Sequence, residues 1–175
     1  MPVLRAPTGM ETKESAVHLL QQPDLQPRLL PYGEIHYPPA GRGQAVLCTQ
    51  ISGDEVLAYF QAYTNTYGEL EDLKRKYEEA LSADGVVGLV IGTRPDCMPD
   101  SLLDYLEEMN RHTFLLVEYG IESTDDKTLC RINRGHTFHA AADAVERTAS
   151  RGILTGGHVI LGLPGETHES IVVQA

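Results

Sequence analysis

The distribution of hydrophobic and polar positions changes character near residue 54. From Asp54 onward, short apolar runs alternate with longer stretches whose apolar residues recur every three or four positions. Val56–Tyr63 reads as a strand, and Glu69–Leu81 places Leu70, Leu73, Tyr77 and Leu81 on one helical face. Val86–Ile91 is a continuous β-branched and apolar run, which predicts a strand covered on both faces. A helix over Asp100–Met109 follows, with Asp100 or Ser101 suited to cap it. Phe114–Gly120 predicts the third strand, then a short helical segment reaching Arg134 and a helix over Phe138–Arg151 stopped by Gly152. Ile153–Leu161 predicts the fourth strand. After the turn Leu163-Pro164-Gly165-Glu166-Thr167 a further helix begins near His168, with Thr167 or Glu166 able to start it.

Strands beginning near residues 56, 86, 114 and 153, each followed by a helix, predict an α/β fold with a parallel sheet and right-handed crossovers. Periodicity alone leaves open whether that sheet curls into a barrel. In either case the strand-to-helix loops 61–66, 92–96, 118–124 and 158–167 gather at the carboxyl edge of the sheet, where such folds place ligands. Residues 1–53 follow no such pattern. Pro23, Pro27, Pro31, Pro38 and Pro39 crowd this stretch and only Glu14–Leu20 looks helical, so it reads as an irregular amino-terminal arm without a convincing strand, ahead of an α/β domain over 54–175.

The stretch Phe114–His136 departs from a purely apolar strand. Glu118 and Glu122 sit four residues apart with Gly120 between them, so strand alternation points both carboxylates to one side. They read either as an acid pair for proton transfer or as barrel-lining partners of Arg94 or Arg134. Arg134 suits bidentate binding of a carboxylate, or local pairing. Arg94 either reaches toward a negative group or pairs with Asp96 across the intervening proline. His158, at the head of an apolar run, is either a hydrogen-bonded core histidine or a ligand contact, and His136 belongs to its turn. Cys97, just past a strand end, is inert unless its thiolate is stabilised.

Charge and cysteine usage narrow the function. A net charge of −11 and a pI near 5.0 argue against a surface for a nucleic-acid backbone, which needs clustered Lys and Arg. The 175 residues suffice for one domain with a real core. Cys48, Cys97 and Cys130 are odd in number and dispersed, which fits a reducing cytoplasm better than a disulfide framework and gives no metal motif. Without a signal-peptide pattern or an apolar run near 18 residues, the sequence predicts a soluble, cytoplasmic protein with no membrane span.

The segments YFQAYTNTY (59–67), IGTRPDCMPD (91–100), VEYGIESTDDKTLCRINRGHT (117–137) and HVILGLPGET (158–167) together resemble the radical S-adenosylmethionine superfamily, specifically its YhcC-like branch. The resemblance runs from about Leu57 to Ala175 and keeps the motifs in the family's order. It implies a partial (β/α) TIM-type barrel, here about four βα units, and reductive cleavage of S-adenosylmethionine by a [4Fe-4S] cluster. It also implies cofactor contacts at Gln61, Ala62 and Thr64, where relatives carry a Gly-rich loop, and at Glu122, Arg134 and His158. Gly92 stands where many relatives have Glu. The family holds its cluster with three thiolates in a C-x3-C-x2-C loop, and this sequence has none. The resemblance therefore implies a truncated or frame-shifted member, inactive for want of cluster ligands, whose partner is a small-molecule cofactor. The alternative is a non-catalytic remnant or interaction module that self-associates through exposed sheet edges. A metal-dependent TIM-barrel hydrolase ranks last, because no His-x-His or clustered-acid motif is present.

Overall fold

The computed structural model describes the backbone of residues 45–52 and all of residues 55–61 and 63–174. Its sheet has five strands in sequence order: β1 (Ala45–Ser52), β2 (Glu55–Gln61), β3 (Val86–Thr93), β4 (Phe114–Glu122) and β5 (Leu154–Val159). β1 runs antiparallel to β2, and the other neighbours are parallel. The helices are α1 (Leu70–Leu81), α2 (Asp100–Met109), α3 (Asp126–Arg131), α4 (Phe138–Ser150) and α5 (His168–Gln174), with a 3₁₀ turn at Pro95–Cys97. The four expected βα units are present, and the fold is α/β of partial TIM type.

β1 corrects the reading of the arm, which had no strand in it. The last proline before it is Pro39, so Ala45–Ser52 is free of the residue that made regular structure costly. Its backbone pairs with β2 from Ala45 opposite Gln61 to Ser52 opposite Glu55. The Glu14–Leu20 segment and the remainder of residues 1–44 lie outside the described residues.

Strand alternation divides the sheet into two unlike faces. Ala58 and Phe60 of β2, Leu89 and Ile91 of β3, and Leu115, Val117 and Tyr119 of β4 are buried in one core. The same core takes Leu73, Tyr77 and Ala80 from α1, Leu102, Leu103 and Leu106 from α2, and Ala144 from α4. Each large side chain so buried stabilises by roughly 1.5–3 kcal/mol, far more than the intrinsic helix propensity of any one residue. The helices therefore form chiefly because this face covers them. Phe60 and Tyr77 meet edge to face with centroids 5.1 Å apart. Tyr119 shares a hydrogen bond with the Thr148 hydroxyl at 2.7 Å, which ties β4 to α4.

The opposite face grades from apolar to polar toward the carboxyl edge. In-register neighbours run Leu57, Gly88 and Phe114, then Tyr59, Val90, Leu116 and Leu154, then Gly92, Glu118 and Gly156, then Gly120 and His158. Gly88 is required by close approach, since a Cβ there would lie 2.6 Å from the Phe114 carbonyl oxygen.

Local signals fix the element ends. Asp125 caps α3 by accepting from the Lys127 amide, and Thr137 caps α4 by accepting from the Ala140 amide. Thr167 starts α5 as expected, exchanging hydrogen bonds with Ser170. The expected cap of α2 is corrected: Pro99 occupies that position with no side-chain bond, and Asp100 already belongs to the helix. The Asp100 carboxylate is engaged instead by Arg147 of α4 at 3.0 Å.

Candidate functional site

The carboxyl ends of β2 to β5 shape the polar end of the open face. β4 is extended to Glu122, beyond the expected end at Gly120, and its pairing with β5 slips between those two residues. Glu122 takes a left-handed conformation, φ 68°, unusual for a residue with a side chain. Arg134 answers it, donating from Nη2 to the Gly120 carbonyl at 2.7 Å and lying 3.2 Å from Glu122 Oε1. The turn after α3 delivers this guanidinium: the Arg134 amide closes onto the Leu129 carbonyl at 2.9 Å, and Asn133 and Gly135 both adopt positive φ. Gly120 makes room for the pair, because a Cβ there would stand 2.7 Å from Arg134 Nη2 and 2.8 Å from Glu122 Oε1.

Next to it, Arg94 grips Asp96 through two hydrogen bonds of 3.0 and 2.7 Å. The Arg94 hydrogen bond holds the Asp96 carboxyl below the usual carboxylate range, and the same contact raises the guanidinium pKa. Of the two readings of Arg94, local pairing across the turn is the one formed. Neither Arg94 nor Arg134 is the partner of Glu118. That carboxylate accepts from the Tyr59 phenol at 2.6 Å, and Nε2 of His158 lies 3.2 Å from the same oxygen, Oε2. Among the described residues the His158 side chain is 61% exposed, which does not match the reading as a core histidine, and β5 is an edge strand of the described sheet.

The loop from β2 to α1 is held from within. Asn65 is buried and donates from Nδ2 to the carbonyls of Phe60 at 3.0 Å and Gly92 at 2.8 Å, bridging β2 and β3. Its own carbonyl accepts from the buried Tyr77 hydroxyl at 2.6 Å. Thr66 bonds the Thr93 hydroxyl and the Cys97 carbonyl. With its base anchored, the loop projects Tyr63 outward, 86% exposed and at φ 66°.

These parts line an open cavity of ≈630 Å³, bordered by Tyr59, Gln61, Tyr63, Thr64, Thr93, Arg94, Gly120, Glu122, Arg134 and His158. Its size falls within the roughly 300–1,000 Å³ range of small-molecule sites. Of the residues singled out in the sequence, Gln61, Thr64, Glu122, Arg134 and His158 therefore meet in one place; Ala62 lies outside the described residues. Tyr63 lies within the candidate loop 61–65, whereas Tyr59 and Thr93 were not singled out, although alternation from Gln61 already puts Tyr59 on the same face. Cys97 does not line the cavity, and burial pushes its thiol pKa up despite the opposing influence of Arg94 and Arg134. His136 stays in its turn, with Nδ1 against the Thr137 carbonyl at 3.2 Å. Among the described residues, no three His, Cys, Asp or Glu side chains are placed to hold a metal ion, and no helix is long and apolar enough to cross a membrane.

Comparison with known proteins bears on the same stretch. The family model described as the radical SAM superfamily matches residues 44–173. The uncharacterized protein YtqA of Bacillus subtilis is 43% identical over 119 residues, which is 68% of this chain and 37% of that protein. Protein YhcC of Escherichia coli is 46% identical over 111 residues, 63% of this chain and 36% of its own length. This chain thus spans little more than a third of the relatives it matches. Among solved structures, archaeal Elp3 from Methanocaldococcus infernus, with an N-terminal deletion, superposes with a TM-score of 0.54 at 20% identity, covering 67% of this chain and 32% of that one. At that identity the likeness speaks for the fold.

Proposed function

Because this chain belongs to the radical S-adenosylmethionine superfamily, we propose that its carboxyl-edge cavity binds S-adenosylmethionine and that the chain by itself does not cleave it. One observation carries the binding half: Gln61, Thr64, Glu122, Arg134 and His158, from four separate stretches of sequence, line a single cavity. The side chains suit a zwitterionic ligand. Arg134 brings a guanidinium to the lining of the cavity, a group suited to a carboxylate, and its buried Nε has no partner among the described residues. Glu122 engages Arg134 through Oε1, which leaves Oε2 to accept from an ammonium or a hydroxyl. Gln61 and Thr64 supply neutral polar contacts from the anchored loop.

In this superfamily the bound cofactor, beside a reduced [4Fe-4S] cluster, supplies a 5′-deoxyadenosyl radical. The cluster does not fit the residues of this chain. Three neighbouring thiolates are needed, yet the sequence has only Cys48, Cys97 and Cys130, all far apart. Cys97 has a raised thiol pKa and Cys130 is an exposed free thiol on α3. The chain's own residues bind and orient a ligand; no electron donor is built from them. Calorimetric titration tests the first half. Micromolar to millimolar affinity for S-adenosylmethionine is expected, weakened at least about tenfold, or ~1.4 kcal/mol, by Arg134→Ala. Undiminished binding in that variant would refute the assignment. Anaerobic reconstitution with iron and sulfide tests the second, and stoichiometric cluster incorporation would overturn it.

A second reading, a module that associates through its open edge, is favoured by the apolar residues grouped at the end of β5 and on α5. Val159, Ile160, Leu161, Val172 and Val173 are all exposed there. Light scattering separates the two readings: a dimer dispersed by Val159→Lys supports the module, and a monomer at high concentration counts against it.

A further inference from the structure

We propose that Glu118 is the cavity's receptor for a positively charged ligand group, a sulfonium or an ammonium. This deepens the binding site described above and rests on that reading of the pocket.

The argument begins with charge. Two of the fixed cations at the site are already matched, Arg94 by Asp96 and Arg134 by Glu122. Among the described residues Glu118 has no arginine or lysine against it; its neighbours there are a neutral phenol and His158, which carries charge only when protonated. A carboxylate only 19% exposed and lacking a fixed counter-ion is costly unless a cation joins it.

Geometry supplies the place for that cation. Tyr59 and His158 both address Oε2, and among the described residues no side chain donates to Oε1. The residues in register with Glu118 on either side are Gly92 and Gly156. A side chain at Gly156 would bring its Cβ within 3.3 Å of Glu118 Cγ, so that glycine gives the stem of the acid room to lie over β5, while a Cβ at Gly92 would meet the Phe60 carbonyl oxygen and the Tyr59 ring instead. Glu118 stands behind the cavity lining, and the two side chains that hold its Oε2, Tyr59 and His158, belong to that lining. The phenol fixes the orientation of the acid and a ligand cation completes it. In this account Tyr59 is a positioning residue and Glu118 the binding residue.

The charged group can come from the sulfonium of S-adenosylmethionine or from an amine on a second reactant. Titrations of the full chain distinguish these sources. The first arm compares S-adenosylmethionine with S-adenosylhomocysteine, which lacks the methyl group and the sulfonium charge. The second compares n-butylammonium with n-butanol, read from the amide resonances of Gly156 and His158. At least a tenfold preference for the charged member is expected in one arm, abolished in Glu118→Gln, whose amide still accepts from Tyr59, and retained in Tyr59→Phe. A preference in the first arm assigns the sulfonium; in the second, the amine. Absence of preference in both arms of the wild-type protein overturns the proposal whether or not the variants fold, and so does a preference that survives Glu118→Gln. Equal binding of both adenosyl compounds with no ammonium response sinks this inference and spares the cofactor site. A Glu118-dependent ammonium response without adenosyl binding does the reverse.

Discussion

At the scale of single residues, the site depends on one absent side chain and one carboxylate outside the cavity. Gly120→Ala places a methyl within 2.8 Å of both Arg134 Nη2 and Glu122 Oε1, so the ion pair must open. Binding of S-adenosylmethionine is expected to weaken about tenfold or more while the melting temperature shifts little, because the pair is partly solvated; calorimetry and thermal denaturation check both. Glu166 secures the loop that follows β5, accepting from the Gly162 and Leu163 amides at 2.9 Å each and from Ser123 and Gln174. Desolvation would raise its pKa, but the hydrogen bonds from Gln174, Leu163, Gly162 and Ser123 outweigh it, and the net shift is downward from 4.5. A carboxyl with a lowered folded pKa stabilises above its unfolded pKa and loses that contribution as pH falls through the folded one. The Gly162 and Leu163 amide shifts are therefore expected to titrate with a midpoint below 4.5, and Glu166→Gln to abolish the step; a midpoint at or above 4.5 refutes this. The Arg94–Asp96 and Arg134–Glu122 pairs were both among the sequence readings, since their members are close in sequence. The partner of Glu118 was not, because Tyr59 stands 59 positions away on another strand and only the register of the sheet joins them.

At the scale of elements, most boundaries follow from periodicity, and the departures have local causes. β5 stops at Val159 although the apolar run continues to Leu161: the Ile160 amide makes a last bond to β4, at the Glu122 carbonyl 2.8 Å away, and Gly162 then adopts a positive φ. Hydrophobicity could not report that bend; the glycine in GLPG could. The β2–α1 loop shows the same limit. Its composition reads as a polar turn, yet Asn65 is fully buried and clamps two strands through Phe60 and Gly92. Asn65→Ala leaves both carbonyls without that donor and is expected to cost about 1–3 kcal/mol. For a chain of this size that corresponds to a fall in Tm of very roughly 2–12 °C. Amide exchange should accelerate first in residues 63–68, since the Tyr77 hydroxyl also loses its well-placed acceptor when the loop shifts. A stability loss without local acceleration would show that Asn65 acts through the core rather than the loop.

At the scale of the molecule, the two faces of the sheet divide stability from binding, and β1 decides how far the stable unit extends. The helix-covered face holds the core, while the open face rises from Leu57 and Phe114 at one end to Glu118, Glu122 and His158 at the other. β5 adds no residue to that core, and β1 is joined to the sheet by its backbone pairing with β2. β1 pairs along the whole of β2, and β2 carries Tyr59 and Gln61 into the cavity. Removing β1 exposes a full row of β2 donors and acceptors beside the site. Two truncated chains isolate the effect, one beginning at Ala45 and one at Asp54. The first is the reference for melting and for affinity for S-adenosylmethionine. The second should lose at least about 5 °C in Tm and bind more weakly, because Tyr59 and Gln61 ride on the exposed strand. Equal melting of the two truncations would mean that β2 holds its place through β3 and the core alone, and the boundary near residue 54 read from the sequence would then also be the boundary of the folding unit.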